Sequence, residues 1–157
     1  MRYPYVPIPE RGKLEFPEGK QVALILTFNL ETWDLTKDTD EPYYAGGPAI
    51  LPSILPGHKP DYPNYTWREY GQRVGIWRLY ELFDELGVAA SCTTNAVTFE
   101  RRRAMVQACL DRGWELLAHN YEQGELLTDF VGDIEAERDL IGRSVEMYTK
   151  HADRKPV

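Results

Sequence analysis

The chain has 157 residues, 43% of them hydrophobic and 27% charged, which suits about one soluble domain burying roughly two thirds of its unfolded surface. A net charge of −7 and a pI near 5.0 exclude a general affinity for nucleic acid or anionic membrane, since both require a concentrated positive field. No run approaches the roughly eighteen apolar residues of a membrane span, and Cys92 and Cys109, in apolar settings, read as reduced thiols of a cytoplasmic protein.

In chain order, residues 1–20 form a Pro-rich arm dotted with Tyr3, Tyr5 and Phe16, expected to run extended and to pack on a neighbour. Pro4, Pro7 and Pro9 break its apolar stretch, so no signal peptide is read. Residues 21–34, QVALILTFNLETWD, come next. The apolar run 22–28 reads as a buried parallel strand, ending in Asn29 and Glu31, two side chains that a strand points to the same side. A carboxylate at the C-terminal end of a parallel strand is where α/β enzymes place their chemistry, so Glu31 is the first candidate.

Residues 32–66 read as a long loop with Pro42, Pro48, Pro52, Pro56, Pro60 and Pro63, and with Trp33, Tyr43, Tyr44, Tyr62 and Tyr65. That length without regular structure suits a lid, a binding loop or a subunit contact. From about Trp67 a helical stripe runs through Tyr70, Val74, Trp77, Tyr80 and Phe83 to Gly87, a C-capping glycine. Residues 88–95, VAASCTTN, form a second strand that delivers Asn95. A helix from Val97 or Thr98 through Leu110 closes at Gly113, and residues 114–118 form a third strand delivering His119. A last amphipathic helix runs from Asp133, its N-cap, to about Lys150.

This alternation of strand and helix is the signature of a parallel sheet wound by right-handed crossovers. Glu31, Asn95 and His119 then emerge at the same end of neighbouring strands and face one crevice.

The stretches RYPYVPIPER, FNLETW, YTWREYGQRVGIWRLYELFDELGV, TTNA and RGWELLAHNYEQGELL, with the helix from Asp133, resemble the polysaccharide deacetylase (NodB-homology) superfamily in its allantoinase-like branch. The resemblance implies an α/β fold, the N-terminal half of an irregular (β/α) barrel that hydrolyses amide-type C–N bonds, in N-acyl groups or cyclic ureides. It also places the family's first motif of two acids at Asn29 and Glu31, and its His-x-x-x-His motif at His119 and Gln123. An amide cannot act as a base at neutral pH, so Asn29 can only orient a water or substrate. Gln123 is a poor ligand for a transition metal.

Two chemistries stay open. In one, Glu31, His119 and Gln123 hold one divalent ion, zinc or manganese, that activates water. In the other no metal binds, and Glu31 or Glu122 is the base, tuned by His119. Arg73 is either a clamp for a substrate carboxylate or ureide oxygen or one half of an ion pair with Glu69 a turn earlier. Trp33 and Tyr121 are expected to line the pocket.

A barrel of this type runs to roughly 250 residues, and only three strands are legible. An open three-stranded sheet leaves an unpaired edge that folded proteins avoid. The expectation is therefore a single partial domain over residues 1–157, completed in a hetero-oligomer by a second polypeptide that carries the C-terminal half. Its substrate would be a small-molecule amide. The alternative is a non-catalytic scaffold or binding subunit.

Overall fold

A computed structural model of the chain describes residues 4–35 and 55–153. Three strands, β1 (Thr27–Leu30), β2 (Ser91–Thr94) and β3 (Glu115–Ala118), form a parallel sheet in that order. The register runs Thr27–Ser91–Glu115 at one end to Leu30–Thr94–Ala118 at the other. β1 connects to β2 through helix α1 (Tyr62–Tyr70), a π-helical turn (Gly71–Gly75) and α2 (Ile76–Leu86). β2 connects to β3 through α3 (Thr98–Arg101) and α4 (Arg103–Asp111), and α5 (Ile134–Ala152) is the last helix.

The strands' alternation decides which face is covered. Leu30, Cys92, Thr94 and Leu116 are buried beneath the helices with Tyr80, Val106, Cys109, Trp114 and Tyr148. The other face carries Thr27, Asn29, Ser91, Thr93, Glu115 and Leu117, none of them buried. The Tyr80 hydroxyl donates to the Met105 carbonyl at 3.0 Å, joining α2 to α4. The Tyr148 hydroxyl lies 2.5 Å from the Thr94 carbonyl and 2.9 Å from that of Leu117, which holds α5 against the exits of β2 and β3.

Several boundaries differ from those read in the sequence. The run expected as a strand over 22–28 is regular only from Thr27, because β2 offers partners only from Ser91. Val22, Leu24 and Ile25 are largely exposed. The expected loop 32–66 is helical from Tyr62: the Asp61 carboxylate accepts from the Asn64 N–H at 3.2 Å, and Pro63 sits in the first turn, where its missing N–H costs nothing. Pro42, Tyr43, Tyr44, Pro48 and Pro52 lie outside the described residues. The expected helix over 98–110 is broken at Arg102, whose φ of −138° is not helical.

In the arm, two 3-10 turns (Ile8–Glu10 and Pro17–Gly19) interrupt the extended backbone. As expected, Asp133 caps α5 by accepting from the Ala136 N–H at 3.0 Å. No helix among the described residues is long and apolar enough to cross a membrane.

Candidate active site at the strand exits

Glu31 is the first residue past β1, and His119 the first past β3. Their side chains meet above the end of β2, with Glu31 Oε1 3.4 Å from His119 Nε2. The other carboxylate oxygen, Oε2, accepts from Trp33 Nε1 at 3.0 Å and lies 4.0 Å from Arg68 Nη1. The Arg68 guanidinium lies over the Trp33 ring, 4.5 Å from its centroid. A cation stacked on an indole is held in one plane at little further entropic cost.

Asn95, expected to face the crevice with Glu31 and His119, is engaged by backbone instead. It is fully buried, and both ends of its amide are engaged: Oδ1 accepts from the Thr32 N–H at 2.8 Å, and Nδ2 donates to the His119 carbonyl. It is a clamp between the two strand exits, and it holds the backbone of Thr32, next to Glu31, and that of His119. The adjacent Thr32 hydroxyl lies 2.8 Å from that of Thr98, also buried.

The loop after β3 is pinned from both sides. Asn120 has a φ of +60°, a conformation Asn tolerates better than most residues, and its side-chain amide donates to the Glu125 carbonyl. The Ala96 and Val97 N–H groups donate to the Asn120 and Tyr121 carbonyls, each at 3.0 Å.

The remaining candidates are dispersed around this pair. Asn29 lies on the uncovered sheet face, where Oδ1 accepts from the Thr93 hydroxyl at 2.7 Å. The Glu122 carboxylate is 3.8 Å from Arg101. Tyr121 packs against the core with Arg143 4.7 Å over its ring. The Gln123 N–H reaches the Thr32 carbonyl at 3.4 Å. Arg73 takes the ion-pair alternative: it binds Glu69 with a side chain 68% exposed.

Sequence reading assigned no role to Arg68 or Gln72. Gln72 Nε2 donates to the Glu31 carbonyl at 2.8 Å, and its Oε1 accepts from Arg102 Nε at 2.7 Å. Arg102 also binds Glu69. Burial pushes the Glu69 carboxyl up, but hydrogen bonds from Arg73 and Arg102 outweigh it and hold the group below its ordinary value. The signal for Arg68 and Gln72 was their i, i+4 spacing, which places both on the helix side that faces the β1 exit. They line a cavity of about 290 Å³ together with Glu31 and Trp33, and its apolar wall is made by Phe28, Leu30, Ile76 and Leu79. A second cavity, of about 140 Å³, shares Trp33, Arg68 and Gln72 and opens toward Arg101 and Arg102.

Glu31 and His119 are two donors of the kind zinc takes, but no cluster of three His, Cys, Asp or Glu side chains exists among the described residues. A third donor would have to be the Gln123 amide, so this donor set does not fit a resident zinc or manganese ion held by these residues alone. Neither a family model nor a curated protein matches the sequence.

Solved structures do match. The allantoinase Puue superposes with a TM-score of 0.69 at 20% identity, over 90% of this chain and 46% of that one. The chain has the fold of about half of that protein. A probable polysaccharide deacetylase from Pseudomonas aeruginosa PAO1 also matches, with a TM-score of 0.65 at 20% identity over 85% of this chain and 44% of that one. The chain thus spans under half the length of either deacetylase-like neighbour, consistent with the N-terminal half of a NodB-type fold.

Proposed function

We propose that this chain contributes part of a strand-end active site that hydrolyses amide-type C–N bonds of a small molecule, with Glu31 as general base and His119 as its partner. The observation that carries the reading is the 3.4 Å approach of Glu31 to His119 at the exits of two strands of a deacetylase-like sheet. A carboxylate beside an imidazole can take a proton from water and return it to a leaving nitrogen. Trp33 donates to the carboxylate and Asn29 lines the same cavity, and their place in the reading is to orient the substrate.

The strands that complete the sheet come, in this proposal, from a second polypeptide in a hetero-oligomer. β1 and β3 each pair on one side only among the described residues, and Val22, Leu24 and Ile25 present apolar surface beside β1. Folded proteins cover such edges. The reading places the protein in the cytoplasm, where the buried, unbridged Cys92 and Cys109, with sulfurs 3.7 Å apart, would stay reduced.

The test is to co-purify the chain with its partner and assay hydantoin, succinimide and N-acetylglucosamine for ring opening or deacetylation. At least one should be hydrolysed, and Glu31→Gln should lower its turnover at least about 100-fold. Turnover unchanged in Glu31→Gln, or none on the whole panel, would leave the chain as a scaffold subunit.

A further inference from the structure

We propose that Arg68 is a catalytic residue of this site, its guanidinium receiving the substrate's carbonyl oxygen and holding it as that oxygen becomes an oxyanion. The inference rests on the reading of Glu31 as general base.

Three observations carry it. Arg68 Nη1 is 4.0 Å from Glu31 Oε2, so when a water on Glu31 attacks a carbonyl carbon, the oxyanion forms within reach of the cation. The Arg68 side chain is only 17% exposed and Glu31 only 19%, which weakens screening by solvent. Arg68 lines the cavity that Glu31 also lines, as well as the second cavity, and its plane is set by the stack on Trp33. Arg73, for which the sequence left open a substrate oxygen or Glu69 as partner, is engaged by Glu69.

The charge movement suits this position. In the resting site Arg68 faces the Glu31 carboxylate. When Glu31 takes a proton from water, the water oxygen bonds to the carbonyl carbon, and the carbonyl π pair moves onto its oxygen. Negative charge leaves Glu31 as it appears on the substrate. Arg68 exchanges one anionic neighbour for another without moving, which is the preorganisation that stabilises a transition state over a ground state. The oxygen pair then re-forms the carbonyl, the C–N bond breaks with its pair going to nitrogen, and nitrogen takes the proton back from the Glu31 carboxyl. An amide and water give an acid and an amine, with no other reagent consumed.

The test measures kcat and KM of the co-purified complex on whichever panel amide it hydrolyses, for Arg68→Ala, Arg68→Lys and Glu31→Gln. Arg68→Ala should lose about 100- to 1000-fold in kcat with KM changed far less, and millimolar guanidinium chloride should restore part of that loss. Arg68→Lys, which keeps the charge and most of the packing, should fall between the two. If both Arg68 variants keep wild-type kcat while Glu31→Gln loses it, the role of Arg68 is overturned and the base reading stands. A loss in Arg68→Ala that guanidinium leaves unchanged assigns Arg68 to packing and overturns it as well. Full activity in Glu31→Gln, or no hydrolysis of any panel amide, overturns the base reading and this inference with it.

Discussion

Glu31 Oε1 and His119 Nε2 stand 3.4 Å apart although their strands are not neighbours: β2 lies between them. Two strand spacings amount to roughly 9.6 Å, so the two side chains must lean toward each other over the exit of β2. They do so from a backbone tied across the gap by Asn95. His119→Ala removes the imidazole that partners the base and should therefore lower kcat by about 100-fold, the scale for misplacing a reacting group. Steady-state kinetics on the co-purified complex check this, and a change confined to KM would mean that His119 does not act on the base.

Asn95 should matter more for folding than any other polar residue near the site. Asn95→Ala strands the Thr32 N–H and the His119 carbonyl, both partnered by its side chain. Each stranded group costs about 1–3 kcal/mol, so a loss of about 2–6 kcal/mol is expected in urea unfolding. Asn95→Asp should be at least as damaging, because a carboxylate cannot donate to the His119 carbonyl. A loss under about 0.5 kcal/mol would mean that the clamp is open in solution.

Glu69 makes stability depend on acid. Its carboxyl is held below the ordinary 4.5 by Arg73 and Arg102 against the opposing effect of burial. A group whose pKa is lower in the folded state stabilises above its unfolded value, and that stability is lost as pH falls through the folded one. The melting temperature of the wild-type chain should accordingly drop more steeply below about pH 4.5 than that of Glu69→Gln, which should already be less stable at pH 7. Parallel acid limbs for the two proteins would show that Glu69 gains nothing from its arginines.

The positions of β2 and β3, and the meeting of Glu31 with His119, were legible because short apolar runs ended by polar residues and bounded by Gly87 and Gly113 leave few ways to wind a parallel sheet. The extent of β1 was not, since a strand reaches only as far as its partner does, and Ser91 is where that partner begins. The helix start at Tyr62 was hidden by Pro63, which marks a break in most contexts and a first turn in this one. Arg73 was a candidate and Arg68 and Gln72 were not. Their i, i+4 spacing puts both on one side of the helix, but residue types alone do not show which side turns toward the β1 exit. Gln72 itself sits in the π turn over Gly71–Gly75. Asn95 was found but its role was not, because nothing in the residue types separates an amide that meets substrate from one that bridges two backbones.

Gln72 tests whether that π turn serves the site. Its side chain joins the Glu31 carbonyl to Arg102, at the break between α3 and α4, and Arg102 continues the chain of contacts to Glu69. Gln72→Leu keeps the bulk and removes both hydrogen bonds, so urea unfolding should show a loss of about 1–2 kcal/mol. If the bond to the Glu31 backbone aims the carboxylate, kcat should also fall by about tenfold or more, since a small misplacement of a reacting group is enough for that. Arg102→Ala breaks the same chain one step further from Glu31, so it should lower stability by a similar amount with a smaller effect on kcat. Equal kcat losses in the two variants would mean that Gln72 acts by holding the helices together and not by positioning Glu31.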